Sequence, residues 1–401
     1  MTGPAYPAAQ AIASRVRDHF RCHIAAGRKQ GLEGLAPEPD PEAIELITDA
    51  AFWASLRHEE GYSPKISLAF LPPEQAPRPL LFERPIRLTP SALTRLAPAV
   101  ERPGIHLGVW RADANGNPAP LAAQDSRESG AASTGGDTFV VWGATRTIPD
   151  HCFVLEVVAP GLLVIKHRNH GSGKFVNIAV LEGDQVKVLD PQATDFAGSP
   201  PLVKALLGLE APNPGLEPLN VLLQLAVSMR SHGRGGSLLV VPAGNDDWRE
   251  SIVRPISYGV APPFAELGRL LRERDGQPAD RRLQDALRHA VDAIAGLTAV
   301  DGATILSDGY DLLAFGAKIT RRDVAGQVEQ VVSAEPLKGA IARVVSPGEL
   351  GGTRHISAAQ FAQDQHDSIA LVASQDGRFT IFAWSPADEM VHAHRVEALL
   401  L

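Results

Sequence analysis

Apolar positions in the first sixty residues recur at helical spacing. Ile44, Ile47, Ala51, Phe52 and Leu56 fall on one side of a helix predicted over residues 42–57, with Pro41 where a first turn tolerates it. An earlier helix is expected over 8–26. His58-Glu59-Glu60 ends the second as a solvated face, and Gly61 stops it. From Lys65 the period changes to two: Ile66, Leu68 and Phe70 alternate, as do Ile105, Leu107 and Val109. Residues 122–137 show no period and read as an exposed loop. Dense apolar runs at 138–142, 153–158, 161–167, 175–181 and 185–189 then predict a meander, hence a mostly antiparallel sheet. A short helix near 201–207 closes this half.

Residues 210–218 hold three prolines and one glycine and mark the expected domain boundary. Beyond them the pattern predicts helices at 219–231, 264–274 and 281–297. The last carries Leu283, Leu287, Val291, Ile294 and Leu297 on one side. Strands are expected at 237–241, 303–306 and 310–315, a helix at 357–362, and a hairpin of 368–373 with 378–384 around Gln375-Asp376-Gly377. Helices alternating with strands imply an α/β layer architecture with a mixed sheet. The reading is therefore an α/β chain of two domains. An α+β domain with a mostly antiparallel sheet spans 1–215, and a mixed-sheet α/β domain spans 216–401.

Composition narrows the function. A chain of 401 residues accommodates two such domains, and 44% hydrophobic with 21% charged residues is an ordinary globular balance. A net charge of −8 gives no global positive field, so no nucleic-acid partner is expected. Cys22 and Cys152 stand far apart, with no Cys/His spacing that suggests zinc and no disulfide framework, so a reducing cytoplasm is the expected location. The N-terminal segment lacks the build of a signal peptide, and no stretch of about 18 apolar residues exists to span a membrane.

Two motifs carry the candidate chemistry. Asp301-Gly302-Ala303 puts a carboxylate at the mouth of a strand, where it can hold a divalent metal, and Gly302 allows close backbone approach. The same tripeptide also suits a plain helix-to-strand turn. Gly351-Gly352-Thr353-Arg354-His355 precedes a helix. Its free N–H groups, hydroxyl, guanidinium and imidazole suit an anion, although a helix start with incidental charge reads the same way. His170-Gly171-Ser172-Gly173-Lys174 imitates a phosphate loop but lacks its first glycine and its Ser or Thr, so it reads as a hairpin turn. His392 and His394 share one side of a strand with no third ligand in view, which suits a polar sheet face better than a metal pair.

In order and register the two motifs resemble the diadenylate cyclase (DAC) domain of DNA-integrity scanning proteins and related bacterial cyclases. Arg234-Gly235-Gly236-Ser237-Leu238-Leu239-Val240 resembles that family's early strand, and the likeness runs through roughly 219–401. The N-terminal half resembles a sensor-type domain found ahead of some bacterial cyclase domains. The resemblance implies condensation of two ATP to cyclic di-AMP, with two pyrophosphates released. It implies Asp301 as the catalytic holder of Mg2+ or Mn2+, with Asp376 as a second metal carboxylate; a hairpin turn explains Asp376 equally well. It places the triphosphate on Gly352, Thr353, Arg354 and His355, with His355 also catalytic. The adenine falls to Phe315-Gly316-Ala317-Lys318, beside Gly302 and Ala303. Because one domain has one set of motifs, the active form is expected to be a face-to-face dimer, at least transiently. An unknown ligand or protein partner is expected at the N-terminal domain.

One position departs from the family: its second arginine is Ile356 here. Loss of one charge-assisted phosphate contact removes about 1.5–3 kcal/mol. Arg343 and Lys338 are candidates to restore that charge. The alternative expectation is a nucleotide-binding sensor module that kept the fold and lost catalysis.

Overall fold

The computed structural model describes residues 5–58, 61–121, 138–170, 175–189, 221–274, 281–323 and 325–401. The loop expected at 122–137, the Gly171–Lys174 turn, Glu59 and Glu60, the helix near 201–207 and the 210–218 boundary lie outside them. Contacts divide the chain into two compact units. One covers Met1–Leu189 with Leu401, and the other covers Asp190–Leu400.

The N-terminal unit opens with α1 (Pro7–Lys29) and α2 (Pro41–Ser55). Ile12, Val16, Phe20 and Ile24 bury one stripe of α1, at the i, i+4 steps that a helix stacks on one face. Asp40 caps α2 by accepting from the Ala43 N–H at 2.8 Å. The remaining elements are β1 (Ile66–Phe70), β2 (Leu80–Arg87), α3 (Pro90–Val100), β3 (His106–Arg111), β4 (Phe139–Thr145), β5 (Phe153–Ala159), β6 (Leu162–Arg168), β7 (Phe175–Glu182) and β8 (Gln185–Val188). The strands form one mixed sheet in the order β2-β4-β3-β1-β5-β6-β7-β8. Only β1 and β3 pair in parallel, so the sheet is mostly antiparallel, as the meander predicted.

The apolar pattern does not announce β2 or α3. The first is an exposed edge strand with Pro85 and a register shift between Leu81 and Ile86, and the second carries Pro98 in its last turn. Gly108 has a steric reason: a Cβ there would lie 2.0 Å from the Trp142 ring. Trp142 and Trp110 are fully buried beside Phe70 and Phe153.

The second unit contains α4 (Val221–Ser231), β9 (Gly236–Val241), β10 (Tyr258–Phe264), α5 (Glu266–Arg274), α6 (Arg281–Leu297), β11 (Ala303–Ser307) and β12 (Leu312–Ala317). These are followed by β13 (Val331–Ala334), β14 (Arg343–Val345), α7 (Pro347–Leu350), α8 (Thr353–Asp364), β15 (Ile369–Ala373), β16 (Phe379–Ser385) and β17 (Met390–Arg395). Its nine strands run β10-β12-β11-β9-β15-β16-β17-β13-β14. β9 is parallel to β11 and β13 to β17; the other pairs are antiparallel, so this sheet is also mixed.

β9 explains its own unbroken apolar run. Leu238 and Val240 join a core with α4, α5 and α6, while Leu239 and Val241 join a second core with Ala358, Phe361 and Ala362 of α8. A strand covered by helices on both faces has no polar side to display. Two expectations shift. Phe264, expected in a helix, ends the edge strand β10, whose Pro262 and Pro263 are tolerated there and disguise it. α8 starts at Thr353, four residues before the predicted 357.

Candidate nucleotide-binding site

Strand register brings the motif segments at the ends of β9, β11, β12 and β15 together. Ala303 of β11 pairs with Ser237 of β9 and with Ala317 of β12; Gly236 pairs with Ala373, and Ala373 with Phe379. The segments just beyond these pairs therefore leave one end of the sheet side by side: Asp301-Gly302, Arg234-Gly235, Lys318 and Ser374–Arg378. Residues about 140 apart in the chain become neighbours through strand order.

Three glycines allow the close packing. Gly302 has φ +114°, and a Cβ on it would lie 2.5 Å from the Gly316 carbonyl carbon and 2.9 Å from the Ala317 nitrogen. Gly316 (φ +63°) lies under Tyr258, whose ring would be 2.7 Å from an added Cβ. Gly235 (φ +70°) is crowded by the cradle itself. Its Cβ position is 3.1 Å from Arg354 Nη1, 3.2 Å from the Ala373 carbonyl oxygen and 3.3 Å from Gln375 Cγ. Arg354, in the first turn of α8, therefore rests on the same glycine as the β15–β16 turn. Gln375 Nε2 also donates to the Arg234 carbonyl at 3.2 Å.

Asp301 is exposed and ion-paired with Lys318. The Lys318 hydrogen bond, then its charge, hold the Asp301 carboxyl below the ordinary carboxylate range. Slight burial opposes this, and the Arg354 charge adds to the lowering. Asp301 and Arg354, fifty-three positions apart, thus share one electrostatic neighbourhood. Thr353 is exposed at the first position of α8. Gly352 caps the helix without a side-chain bond, and the His355 N–H donates to the Gly352 carbonyl at 2.9 Å, so the N–H groups offered to an anion are those of Thr353 and Arg354.

His355 differs from its motif neighbours. It is 2% exposed, packs edge-on against Phe382 with ring centroids 6.0 Å apart, and its Nε2 has no hydrogen-bond partner. Burial lowers its pKa, with Asp376 pulling the other way, so the ring is neutral near pH 7. Gly351 is its neighbour: a Cβ there would lie 2.3 Å from His355 Nδ1. The two glycines therefore have separate tasks, Gly351 making room for a buried imidazole and Gly352 opening the helix. Asp376 lies in the β15–β16 turn, where Arg378 pairs with it at 3.3 Å. Burial raises its pKa, but hydrogen bonds from Ser374 and the Arg378 backbone and the Arg378 charge outweigh this, and it stays low.

A divalent ion such as Mg2+ is ordinarily held by one or two carboxylates together with substrate phosphates and water. Asp301 is 86% exposed in its side chain and ionised, which fits that donor set. Asp376 stands on β15's side of β9, two strand spacings or about 10 Å from β11. Arg343 is exposed on the edge strand β14. Ile356 itself is 41% exposed.

Sequence reasoning passed over Tyr258. It is 52% exposed and stacks on Phe315 with centroids 4.8 Å apart and planes 7° from parallel. The prolines of β10 hid the strand that presents it.

A cavity of about 450 Å³ opens at the opposite end of the sheet, lined by Pro242, Trp248, Arg322, Asp364 and Ser368 among others. It contains none of the motif residues. Two of its charged groups already have partners: the Arg322 backbone N–H donates to Asp364 at 2.9 Å, and the Arg322 guanidinium pairs with Glu250 outside the cavity. The open end, with its exposed carboxylate and uncapped helix, is the better candidate.

Residues 33–117 match the model of a family described as probable sensor domain DACNV. The match covers α2 through β3 and ends well before the segment that carries Asp301 and Arg354. No curated protein matches the chain. Among the described residues, no helix is long and apolar enough to cross a membrane.

Proposed function

We propose that the C-terminal unit binds ATP at this open sheet end and that two such units, face to face, condense two ATP into cyclic di-AMP under the control of the N-terminal unit. The observation that carries this reading is that Arg354 rests against Gly235 at the same sheet end from which Asp301-Gly302 enters β11. It supplies an ionised carboxylate and a guanidinium to one ligand, beside an uncapped helix start. The DACNV match supports the regulatory half.

In this reading Arg354 and Thr353 hold the triphosphate together with the α8 N-terminus. Tyr258 and Phe315 offer a flat apolar surface beside the adenine. Asp301 would hold Mg2+ or Mn2+, which would lower the proton affinity of the attacking hydroxyl. The 3′-oxygen of each ATP bonds to the α-phosphorus of the other. Each hydroxyl passes its proton to solvent water, and the bond from each α-phosphorus to its bridging oxygen breaks to release two pyrophosphates. His355, neutral and inward, positions the first turn of α8 and takes no proton. The open half-site explains the need for a second copy, because one unit carries one carboxylate and one cradle.

Ile356 favours the second reading, a nucleotide sensor without turnover. Incubation of the full chain with ATP and Mn2+, with the product identified by mass, separates the two. The cyclase reading expects cyclic di-AMP from the wild type and none from Asp301→Asn. ATP binding without any dinucleotide product establishes the sensor reading instead.

A further inference from the structure

The N-terminal unit holds a second cluster of chemistry. His19 and His23 lie one turn apart on α1, and His167 lies on β6. Each offers one ligand nitrogen, and these atoms all lie within 4.8 Å of one another. Among the described residues this is the one group of three or more His, Cys, Asp or Glu side chains that close together. The His19 and His23 rings stack at 4.0 Å, and each lies 5.3 Å from the His167 ring. His151, left-handed at φ 57°, brings its Nδ1 within 3.4 Å of His167 Nδ1.

The hydrogen bonds fix the tautomers usefully. His23 Nδ1 donates to the His19 carbonyl at 2.9 Å, and His167 Nδ1 to the Arg168 carbonyl at 3.1 Å. With the proton on Nδ1, each keeps the Nε2 lone pair for a ligand, the arrangement by which backbone carbonyls orient metal-binding imidazoles. His19 Nε2 is buried and has no partner.

We propose that His19, His23 and His167 form a binding site for a late first-row divalent metal ion of the Zn2+ class, which fastens α1 to the sheet of the N-terminal unit. Imidazole donors select such ions over Mg2+ or Ca2+. Nitrogens about 2.1 Å from a tetrahedral ion stand about 3.4 Å apart, so the observed spacing closes by little more than an ångström. His23 is exposed, which leaves an entry path and a fourth position for water or His151. The DACNV match, at 33–117, includes none of the three ligands. The site deepens the sensor reading by naming what that unit binds, but metal binding itself is independent of the cyclase chemistry.

The test is a Co2+ titration of the full chain, free of any polyhistidine tag and stripped with chelator, followed by visible absorption and Zn2+ competition. One equivalent should produce the intense absorption of a tetrahedral nitrogen-rich site, which Zn2+ then abolishes. Zn2+ should also raise the unfolding midpoint. His23→Gln, exposed and therefore folded by circular dichroism, should weaken binding by ~100-fold or more, as should His19→Gln. Absence of saturable binding at one equivalent, or undiminished affinity in both variants, overturns the site. The readout is metal affinity, so a failed ATP assay leaves it standing, and its own failure leaves the nucleotide site untouched.

Discussion

Single residues decide how tightly the candidate site can close. Gly302 is the sharpest case, because its positive φ and the 2.5 Å approach to Gly316 leave no room for a side chain. Gly302→Ala should cost about 1–3 kcal/mol through overpacking, read as a lower urea midpoint, and should weaken ATP binding as Asp301 shifts. Unchanged stability would show that the β11–β12 approach is loose. Asp301, Arg354 and Thr353 were legible as chemistry in the sequence because each is polar at a turn. The direction of His355 was not. Its motif position suggests a phosphate ligand, while burial against Phe382 depends on strands read elsewhere in the chain. The histidine cluster was hidden for a related reason: His19 and His23 have helical ligand spacing, but His167 reaches them only through the packing of α1 on the sheet.

At the scale of elements, helices and buried strands were the readable part. α2, α6 and β9 follow from periodicity, since each has one or two faces to bury. β2, β10 and α3 were missed because proline interrupts their patterns, and edges tolerate what interiors reject. The four-residue error at the start of α8 matters most, since it moves Thr353 and Arg354 from a loop into the helix's first turn. Ile356 lies in that same turn with 41% of its surface exposed, so a longer polar side chain meets no steric barrier. Ile356→Arg should tighten ATP binding about tenfold, the worth of one charge-assisted phosphate contact. Equal affinity by calorimetry would place the triphosphate away from that side of α8.

Across the whole molecule, buried histidines set the response to acid. Burial pushes His394 and His19 down to about 3, and His106 and His167 down to about 4. Neighbouring charges act after it, and at His167 the Arg168 backbone hydrogen bond opposes it first. Their folded values lie below the unfolded 6.5, so between those values the unfolded chain binds more protons. Stability is therefore full above about pH 6.5 and is lost as pH falls toward 4, by up to ~1.4 kcal/mol per pH unit for a fully buried group such as His394. The chain in chelator should melt at a lower temperature at pH 5 than at pH 7, and an equal or higher midpoint at pH 5 would contradict the neutral assignments. Two sheets, one mostly antiparallel and one mixed, were within reach of the sequence; which sheet end carries the candidate site followed only from strand order. The central claim is that Asp301 and Arg354 act on one bound triphosphate. It is tested most directly by ATP calorimetry with and without Mg2+ on the wild type, Asp301→Asn, Arg354→Ala and the double variant. Mg2+ should tighten ATP binding in the wild type and lose that effect in Asp301→Asn, and the two substitutions should be non-additive. An undiminished Mg2+ effect in Asp301→Asn, or strictly additive losses, would contradict the claim.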